Sequence, residues 1–582
     1  MKPVALAFAA VAAALVASAQ APEPGPVLEA MRAEIQRSLQ LRVPNLEAPY
    51  FIQYLVDEED AFNLTADLGG VVSRRRNRFR EATIRVRVGD YAFDNTNFGG
   101  GGFGGGSRYD LGQFPLEDSL PAMRRYFWLA TDTAYKAAVE AIARKRAALK
   151  NVTASEKIND FAHADPMHHL TDFRKLAIDE EVWTNRVRAL SALFAQYPDV
   201  RASVVELHAG EGGLYLANSE GTEVQEPEHV TFLRARATSQ AADGMTLRDA
   251  VAFHAADAAH LALEDEMRSA IATMAQNLVA LAQSPKGEDY NGPVLFEGVA
   301  GAQIMAEVLA SNLSLTRRPA VQGGRGGAVQ PAELEGRLGA RVLPDWMDVT
   351  DDPTPKEWRG RPLFGSYEVD REGVPARPLH LVEKGVLKNY LLTRQPMRGQ
   401  EGSNGHARLP GSLGASAAAI SNLFVTASET IPVSELKKKL IELCQARGLP
   451  YGVIVRKMDF PSSAPLAEAQ RLLAGSQGGS GRPVSLPILT YKAFPDGHEE
   501  LVRGVRFRGF NARSLKDILA AGDDSAPFEF MESQAPFALI SAGGFTTEAT
   551  VVAPSILIDD LELHPLEEEL PKLPVAPPPA LQ

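Results

Sequence analysis

The 582-residue chain has a single cysteine, Cys444, so a disulfide within the chain is excluded. It also lacks the HExxH, GxxxxGK, GxSxG and CxxC patterns. Their absence removes the usual sequence evidence for a zincin protease, a P-loop nucleotidase, an α/β-hydrolase or a dithiol redox protein. Cys444 itself lies on the apolar side of a predicted amphipathic helix over residues 434–447, which favours a buried, unreactive thiol.

Positive charge is scarce as well. Lys and Arg together number 60 against 73 Asp and Glu, and the net charge of -13 argues against nucleic acid as the main partner. The one basic run, RRRNRFR at residues 74–80, leads into an alternating strand pattern at 82–88. We therefore interpret the run as a solvated strand face and not as a nucleic-acid site.

Long apolar runs are few, and the one that matters is at the start of the chain. Residues 4–16 are almost wholly apolar, follow Lys2, and precede two A-x-A sites that end at Ala19 and Ala21. This pattern predicts a secretory signal peptide over residues 1–21, and hence a periplasmic or secreted protein with no stable membrane anchor. An uncleaved anchor is the alternative, although the run is short for a membrane span.

At this length the chain needs more than one hydrophobic core. Its periodicities predict an α+β protein: an N-terminal α/β region with an antiparallel sheet and long helices, then a mainly β C-terminal domain. The predicted units are the signal peptide at 1–21, an N-terminal α+β segment at 22–115, a helix-rich middle region with an antiparallel sheet at 116–287, the C-terminal domain at 288–566, and a disordered Pro-rich tail at 567–582.

Apolar spacings of three and four predict three long helices, at 116–150, 173–194 and 247–283. Alternation predicts strands joined by a tight turn at 218–221, and residues 549–563 form one predicted closing strand. Residues 97–107, NFGGGGFGGGS, fit GxGxxG only through low complexity, and no helix follows them. They predict a flexible loop and not a dinucleotide site.

The most informative stretch is GPVLFEGVAGAQIMAEVL at residues 292–309. Val294, Leu295 and Phe296 in a row predict a buried strand, and the spacing then becomes helical. This strand-to-helix stretch resembles the third, C-terminal domain of the TldD/PmbA family, also labelled modulator of DNA gyrase or U62 peptidase-like. Further segments resemble that domain in the family's order, so the resemblance covers roughly residues 289–563 strongly and the first half weakly.

Active members of that family carry HExxxH on this helix, which binds zinc and supplies a glutamate as general base. By resemblance, the matching residues here are Phe296, Glu297 and Gly301, so the glutamate position is kept and both histidine positions are lost. Phenylalanine and glycine offer no lone pair to a metal. The family's late cysteine ligand is also missing, because no cysteine follows Val455. We therefore predict no metal and no cofactor in this chain, with zinc expected only in an active relative.

The resemblance also implies partners: the chain itself or a zinc-bearing TldD-like relative, and an extended peptide enclosed between the subunits. This chain would then be the metal-free subunit that holds peptide by main-chain pairing to a strand edge. One alternative is a periplasmic binding or scaffold protein without a peptidase partner. Another is a peptidase with a non-standard site, such as Glu297 with a borrowed ion, although a glutamate at a helix start is also favoured by the helix dipole alone.

Two other groups of residues could carry chemistry. His163, His168 and His169 lie among aspartates at irregular spacing, which permits either a metal site or a solvated loop. Ser403 and His406 could be a nucleophile and its base. Their separation of three residues on a Gly-containing turn is weak evidence for such a pair.

Overall fold

In the first half of the chain, the described residues form four α-helices and a set of long strands. The structure, a computed structural model, describes residues 25–99, 112–150, 157–317, 319–321, 332–411, 415–465, 467–468, 470, 484–533, 539–540, 546–567, 570–577 and 579. The predicted signal peptide and most of the Gly-rich segment at 97–107 lie outside these residues. The elements of the first half are α1 (Pro26–Ser38), β1 (Pro49–Asp67), β2 (Gly70–Val88), β3 (Phe98–Gly99), α2 (Leu120–Leu149), β4 (His168–Leu170), α3 (Glu180–Ala192), β5 (Val200–Asn218), β6 (Glu223–Gln240), β7 (Thr246–Ala255) and α4 (Glu264–Gln283).

One sheet joins these strands in the order β2, β1, β5, β6, with both β4 and β7 paired to the far edge of β6. Every pair is antiparallel except β4 with β6. Leu68 and Gly69 turn β1 into β2 with φ of 47° and 84°, the positive values that a two-residue hairpin turn requires. The predicted units at 22–115 and 116–287 therefore contribute strands to the same sheet.

The basic run lies on β2, where its alternate arginines point to one face of the sheet. Arg74 pairs with Glu180 and Glu181 of α3, and Arg76 pairs with Asp60 and Glu180. Arg78 pairs with Glu58 of the neighbouring strand. These arginines are neutralised within the fold, which agrees with a strand face and not with a site for nucleic acid.

Two helix predictions were wrong in part. Residues 246–255 form β7, because Leu247 and Val251 are four apart, a spacing that suits one face of a strand as well as a helix, and β6 offers a free edge there. The helix predicted from residue 173 begins only at Glu180, because Asp179 accepts hydrogen bonds from the backbone N–H of Glu181 and Val182 and so caps it.

The second half is mainly strands, as predicted. Its elements are β8 (Tyr290–Phe296), α5 (Val299–Ile304), β9 (Ala320–Val321), β10 (Met347–Asp351), β11 (Glu357–Trp358), β12 (Arg361–Pro362), β13 (Leu379–Glu383), β14 (Val386–Leu387), β15 (Ala407–Pro410), β16 (Ser416–Ala418), β17 (Asn422–Ala427), α6 (Val433–Ala446), β18 (Gly452–Met458), β19 (Pro487–Ala493), β20 (Glu499–Val502), β21 (Val505–Arg508), β22 (Ile518–Ala521), β23 (Ala526–Ser533), β24 (Thr546–Ala553) and β25 (Ile556–Pro565). The single closing strand predicted at 549–563 is instead two, β24 and β25, because Pro554 and Ser555 break it between two different sheets.

Two sheets enclose the C-terminal core. One has the order β14, β13, β10, β17, β24, β23; the other has the order β20, β19, β18, β8, β25, β21, with β22 also on β25. The short helix α5 and the π-turn Met305–Leu309 that continues it lie between the sheets in the largest apolar cluster of the described residues. Helix α6 covers the outer face of the second sheet through Leu436, Leu440 and Cys444.

The helices of the first half all cover one face of its sheet, and the opposite face packs on the C-terminal domain. Burial follows the strand period of two: Phe62 and Leu64 of β1 join the cluster under α3 and α4, while Leu55 packs with Val369 of the C-terminal domain. The carboxylate of Asp57 accepts two hydrogen bonds, of 2.7 and 2.8 Å, from the Arg371 guanidinium. Within the described residues, no helix is both long and apolar enough to cross a membrane.

Candidate functional site

The strand-to-helix stretch forms as predicted, but its interior is packed shut. Phe296 ends β8 with no exposed surface, and its ring centroid lies 5.6 Å from that of Phe507 and 5.8 Å from that of Phe510. A residue at position 296 therefore points into the apolar core, where there is no space for a metal with an open coordination site.

Gly301 is equally confined by backbone. A Cβ atom at this position would lie 2.3 Å from the carbonyl oxygen of Pro554. The helix thus approaches the turn between β24 and β25 as closely as two backbones allow, and only glycine fits without displacement. Ser555 in the same turn accepts a 2.7 Å hydrogen bond from the N–H of Gly298 and fixes the start of α5.

Glu297 lies at the surface, in a cluster of four charges. Its carboxylate accepts a 2.8 Å hydrogen bond from Nε of Arg456 and lies 3.1 Å from Nζ of Lys437. Glu499 shares the same two cations. Glu297 is therefore committed to an ion-pair network, and the described residues contain no group of three or more His, Cys, Asp or Glu that could hold a metal ion.

The three histidines at 163–169 do not converge. His169, on β4, lies 2.9 Å from Glu226, whereas His163 and His168 each approach a different glutamate at 4.0 Å. Pairing of β4 with β6 points the neighbouring His168 and His169 to opposite faces of the strand, and His163 lies before the strand. This segment is therefore a loop with a short edge strand, and the three histidines do not form a metal site.

Ser403 and His406 also do not form a catalytic pair. Ser403 Oγ contacts the backbone of Leu392 and Gly405, while the fully buried His406 faces Asp351 at 3.4 Å. Cys444 is buried on α6 as predicted, and burial raises the pKa of its thiol, which keeps it protonated and unreactive.

Sequence patterns did not reveal a group of polar side chains that face one another between the two halves of the chain, at a place that we call the inter-sheet cleft. It lies between the C-terminal-facing side of the first sheet and the outward face of β23 and β24. Glu59, Glu228 and His254 come from the first sheet and approach Glu529 and Glu548 of β23 and β24. His254 Nδ1 lies 3.8 Å from the Glu529 carboxylate across the cleft, and its ring is 4.9 Å from that of Phe364.

Enclosure changes the acid–base properties of these groups. Burial raises the pKa of Glu529 to about 7 and lowers the pKa of His254 to about 3, so both side chains are predominantly uncharged between about pH 3 and pH 7. Glu228 keeps half of its side chain exposed to the cleft, yet the surrounding protein desolvates it and raises its pKa to about 8. Burial also raises the pKa of Glu548, with a smaller contribution from the like charge of Glu59.

The strand β23 supplies main-chain groups at this cleft. Among the described residues it pairs only with β24, so its outer edge is free over eight residues. Pro527 has no N–H, and proline is tolerated in a strand where that side faces away from the neighbour. Because strands repeat every two residues, the N–H groups of Glu529 and Met531 then face outward as well.

Only contacts between distant elements could reveal this cleft: His254 comes from a segment predicted as helix, and Glu529 lies 275 positions later in the sequence. The available signal was weak, namely the alternation of polar residues on β6 and β7. In contrast, the stretch around α5 was visible in the sequence because its apolar spacing is local.

Comparison with known proteins agrees with this fold. Residues 289–458 match the family model described as the PmbA/TldA metallopeptidase C-terminal domain. Two archaeal proteins named metalloprotease are similar over shorter stretches: one from Archaeoglobus fulgidus at 38% identity over 78 residues and one from Methanothermobacter thermautotrophicus at 42% over 62 residues. These stretches cover 13% and 11% of this chain, and only 17% and 12% of the two relatives.

Solved structures match over nearly the whole fold at low identity. TldE from Thermococcus kodakarensis is 13% identical with a TM-score of 0.55, covering 92% of this chain and 99% of that one. A protein from Thermotoga maritima, named as a candidate modulator of a DNA gyrase, is 15% identical with a TM-score of 0.53, covering 88% and 96%. A similarly named protein from Bacteroides thetaiotaomicron is 12% identical with a TM-score of 0.53, covering 92% and 99%.

The matched region thus defines a C-terminal domain of the PmbA/TldA metallopeptidase type over residues 289–458. Over the rest of the chain, the likeness to TldE and to the two gyrase-modulator-named proteins shows a shared fold. The α+β architecture expected from the sequence is confirmed. The residues that stand at the expected ligand positions do not fit a zinc ion, because one is a core phenylalanine and the other a glycine against backbone.

Proposed function

We propose that this chain is an exported, non-catalytic member of its family that holds extended peptides for a peptidase partner. The observation that carries the proposal is the free edge of β23 in the inter-sheet cleft. An extended peptide added to this edge would bond to the outward main-chain groups of Glu529 and Met531. Its side chains would alternate between the cleft wall near His254 and solvent.

A pair of variants at one position tests peptide binding. Met531→Pro removes an outward N–H without removing a hydrogen bond to β24, whereas Met531→Ala keeps the N–H and removes only the side chain. We expect Met531→Pro to abolish binding of a fluorescent, unstructured peptide mixture in a polarisation assay, while Met531→Ala retains it. Equal binding by both variants, with unchanged circular dichroism, would contradict pairing at this edge.

The proposed partner is a second copy or a zinc-bearing TldD-like relative. The proposal rests on the resemblance of residues 289–458 to the PmbA/TldA metallopeptidase C-terminal domain, together with the packing around Phe296 and Gly301, which leaves no set of metal ligands among the described residues at α5. Light scattering and pull-down from the native envelope test it, and an obligate interface should exceed roughly 2,000 Å². A strict monomer at micromolar concentration with no captured relative would favour the periplasmic binding or scaffold alternative.

The expectation that the chain binds no metal has its own test. We expect elemental analysis of the purified protein to find no stoichiometric zinc, since Glu297 already pairs with Arg456 and Lys437. About one zinc per chain, lost in Glu297→Gln together with peptide cleavage, would instead support the borrowed-ion peptidase.

Export is tested separately by sequencing the N-terminus of the native protein. A start at residue 20 or 22 is expected from the two A-x-A sites. A start at Met1, or recovery only from cytoplasm, would overturn this part of the proposal.

A further inference from the structure

The helix layer carries a second concave site, on the opposite side of the first sheet from the inter-sheet cleft. A pocket of about 380 Å³ opens between the end of α1 and the beginning of α2. Nothing in the proposed peptide-holding role uses it, because it shares no residue with β23 or with the cleft walls.

A buried carboxylate organises the polar side of this pocket. Glu34 has only 3% of its side chain exposed. Its Oε2 accepts a 2.6 Å hydrogen bond from Nε of Arg37, and its Oε1 accepts a 2.9 Å hydrogen bond from Nε of Arg124. Both arginines remain nearly half exposed, and the described residues give their guanidinium groups no other partner. Each therefore presents N–H groups in a fixed orientation toward the opening.

A third arginine, Arg125, also lines the pocket. It makes no ion pair or side-chain hydrogen bond with any residue that the structure describes. Three guanidinium groups against the single carboxylate of Glu34 leave two uncompensated positive charges, in a chain whose net charge is -13. A local positive site in an acidic protein attracts and orients an anion.

The remaining wall is apolar. Leu120 and Pro121 line it, and Trp128 leaves 48% of its surface exposed there. Guanidinium groups in a fixed fork recognise carboxylate or phosphate oxygens, and an exposed indole provides a large flat contact for an apolar group. The chemistry of the pocket is therefore that of a ligand with one charged end and one apolar end.

We propose that this pocket binds an anionic amphiphile: a molecule with one carboxylate or phosphate head and an aliphatic or aromatic body. The head would lie between Arg124 and Arg125, and the body would cover Trp128. The free N–H groups of Arg37 would complete the coordination of the head.

Three probes of equal chain length test the proposal on the full mature chain: octanoate, octyl phosphate and octanamide. Titration calorimetry measures affinity, and acrylamide quenching of tryptophan fluorescence reports the site, because Trp128 is the most exposed of the four tryptophans. We expect one or both anions to bind and to protect Trp128 from quenching. Octanamide should bind at least about tenfold more weakly, since it lacks the charge-assisted hydrogen bonds. The tighter of the two anions identifies the head group.

Arg125→Gln is the decisive variant, because among the described residues Arg125 has no side-chain hydrogen bond or ion pair whose loss would disturb folding. We expect it to weaken anion binding about tenfold, and Trp128→Phe to remove the quenching signal. Arg144→Gln makes the same charge change on the exposed face of the same helix, outside the pocket, and should leave affinity unchanged. Equal affinity for octanoate and octanamide, equal losses in Arg125→Gln and Arg144→Gln, or no binding of either anion would overturn the proposal.

Discussion

The stretch around α5 and the inter-sheet cleft differ in what surrounds their polar groups. Around α5 every space is filled: Phe296 lies in the core, and Gly301 lies against Pro554. In the cleft, carboxylates are enclosed without complete pairing, and desolvation raises the pKa values of Glu228 and Glu529. The comparison indicates that the motif region now serves packing, whereas the groups with unused binding capacity lie between the two halves of the chain.

The largest expected effect comes from placing a histidine at the motif position. Phe296→His should lower the free energy of unfolding by about 3–5 kcal/mol, because it removes a buried aromatic ring and buries an unpaired imidazole. Urea unfolding measures this, and zinc content should remain below stoichiometric. Phe507→Leu, at a half-buried neighbour of the same ring, is the control and should cost distinctly less. Stoichiometric zinc in Phe296→His would show that the position faces a metal-sized space and would reverse the comparison.

Gly301→Ala should have the next largest effect. The added Cβ meets the carbonyl oxygen of Pro554 at 2.3 Å, so either α5 or the β24–β25 turn must shift. We expect a loss of about 1–3 kcal/mol in urea unfolding, the usual range for overpacking. Ala300→Gly on the same helix changes only backbone freedom and should cost about 1 kcal/mol. If Gly301→Ala is as stable as the parent protein, the close backbone approach described here is wrong.

The smallest effect probes the cleft through pH. Because the pKa of Glu529 is raised from 4.5 to about 7 in the folded protein, its contribution to stability is present below pH 4.5 and is lost as the pH rises through 7. Glu529→Gln removes this titration. The variant should match the parent protein near pH 4.5 and exceed it by about 1 kcal/mol at pH 8, a value reduced from the full shift because the group is partly solvated.

Thermal unfolding at several pH values measures this difference. Glu401→Gln, at an exposed loop carboxylate, should show no pH-dependent gain over the parent protein. A constant difference between Glu529→Gln and the parent protein across this pH range would mean that Glu529 is not desolvated in the cleft.

Local patterns were sufficient to predict much of the C-terminal domain. The run Val294–Phe296 followed by helical spacing correctly predicted β8 and α5, because both the buried strand and the helix leave signals within a few residues. The helix predicted over 247–283 begins only at Glu264. Residues 247–255 belong to β7 instead, because a four-residue apolar spacing fits either element and pairing with β6 decided between them. The cleft could not be predicted, since it depends on how β7 faces β23 across the domain boundary.

Among the described residues β2 has no strand on its outer edge, and this bears on how the protein contacts copies of itself. A long unpaired strand is a template for joining another chain edge to edge, a common first step in aggregation. If two copies of β2 paired antiparallel, the arginines of one copy would lie close to the arginines of the other, and these like charges would repel. The acidic residues that pair with them, on α3 and β1, already belong to the same copy. The arginines therefore protect this edge while the protein is concentrated or newly folded. Any dimer of this chain should form through another surface.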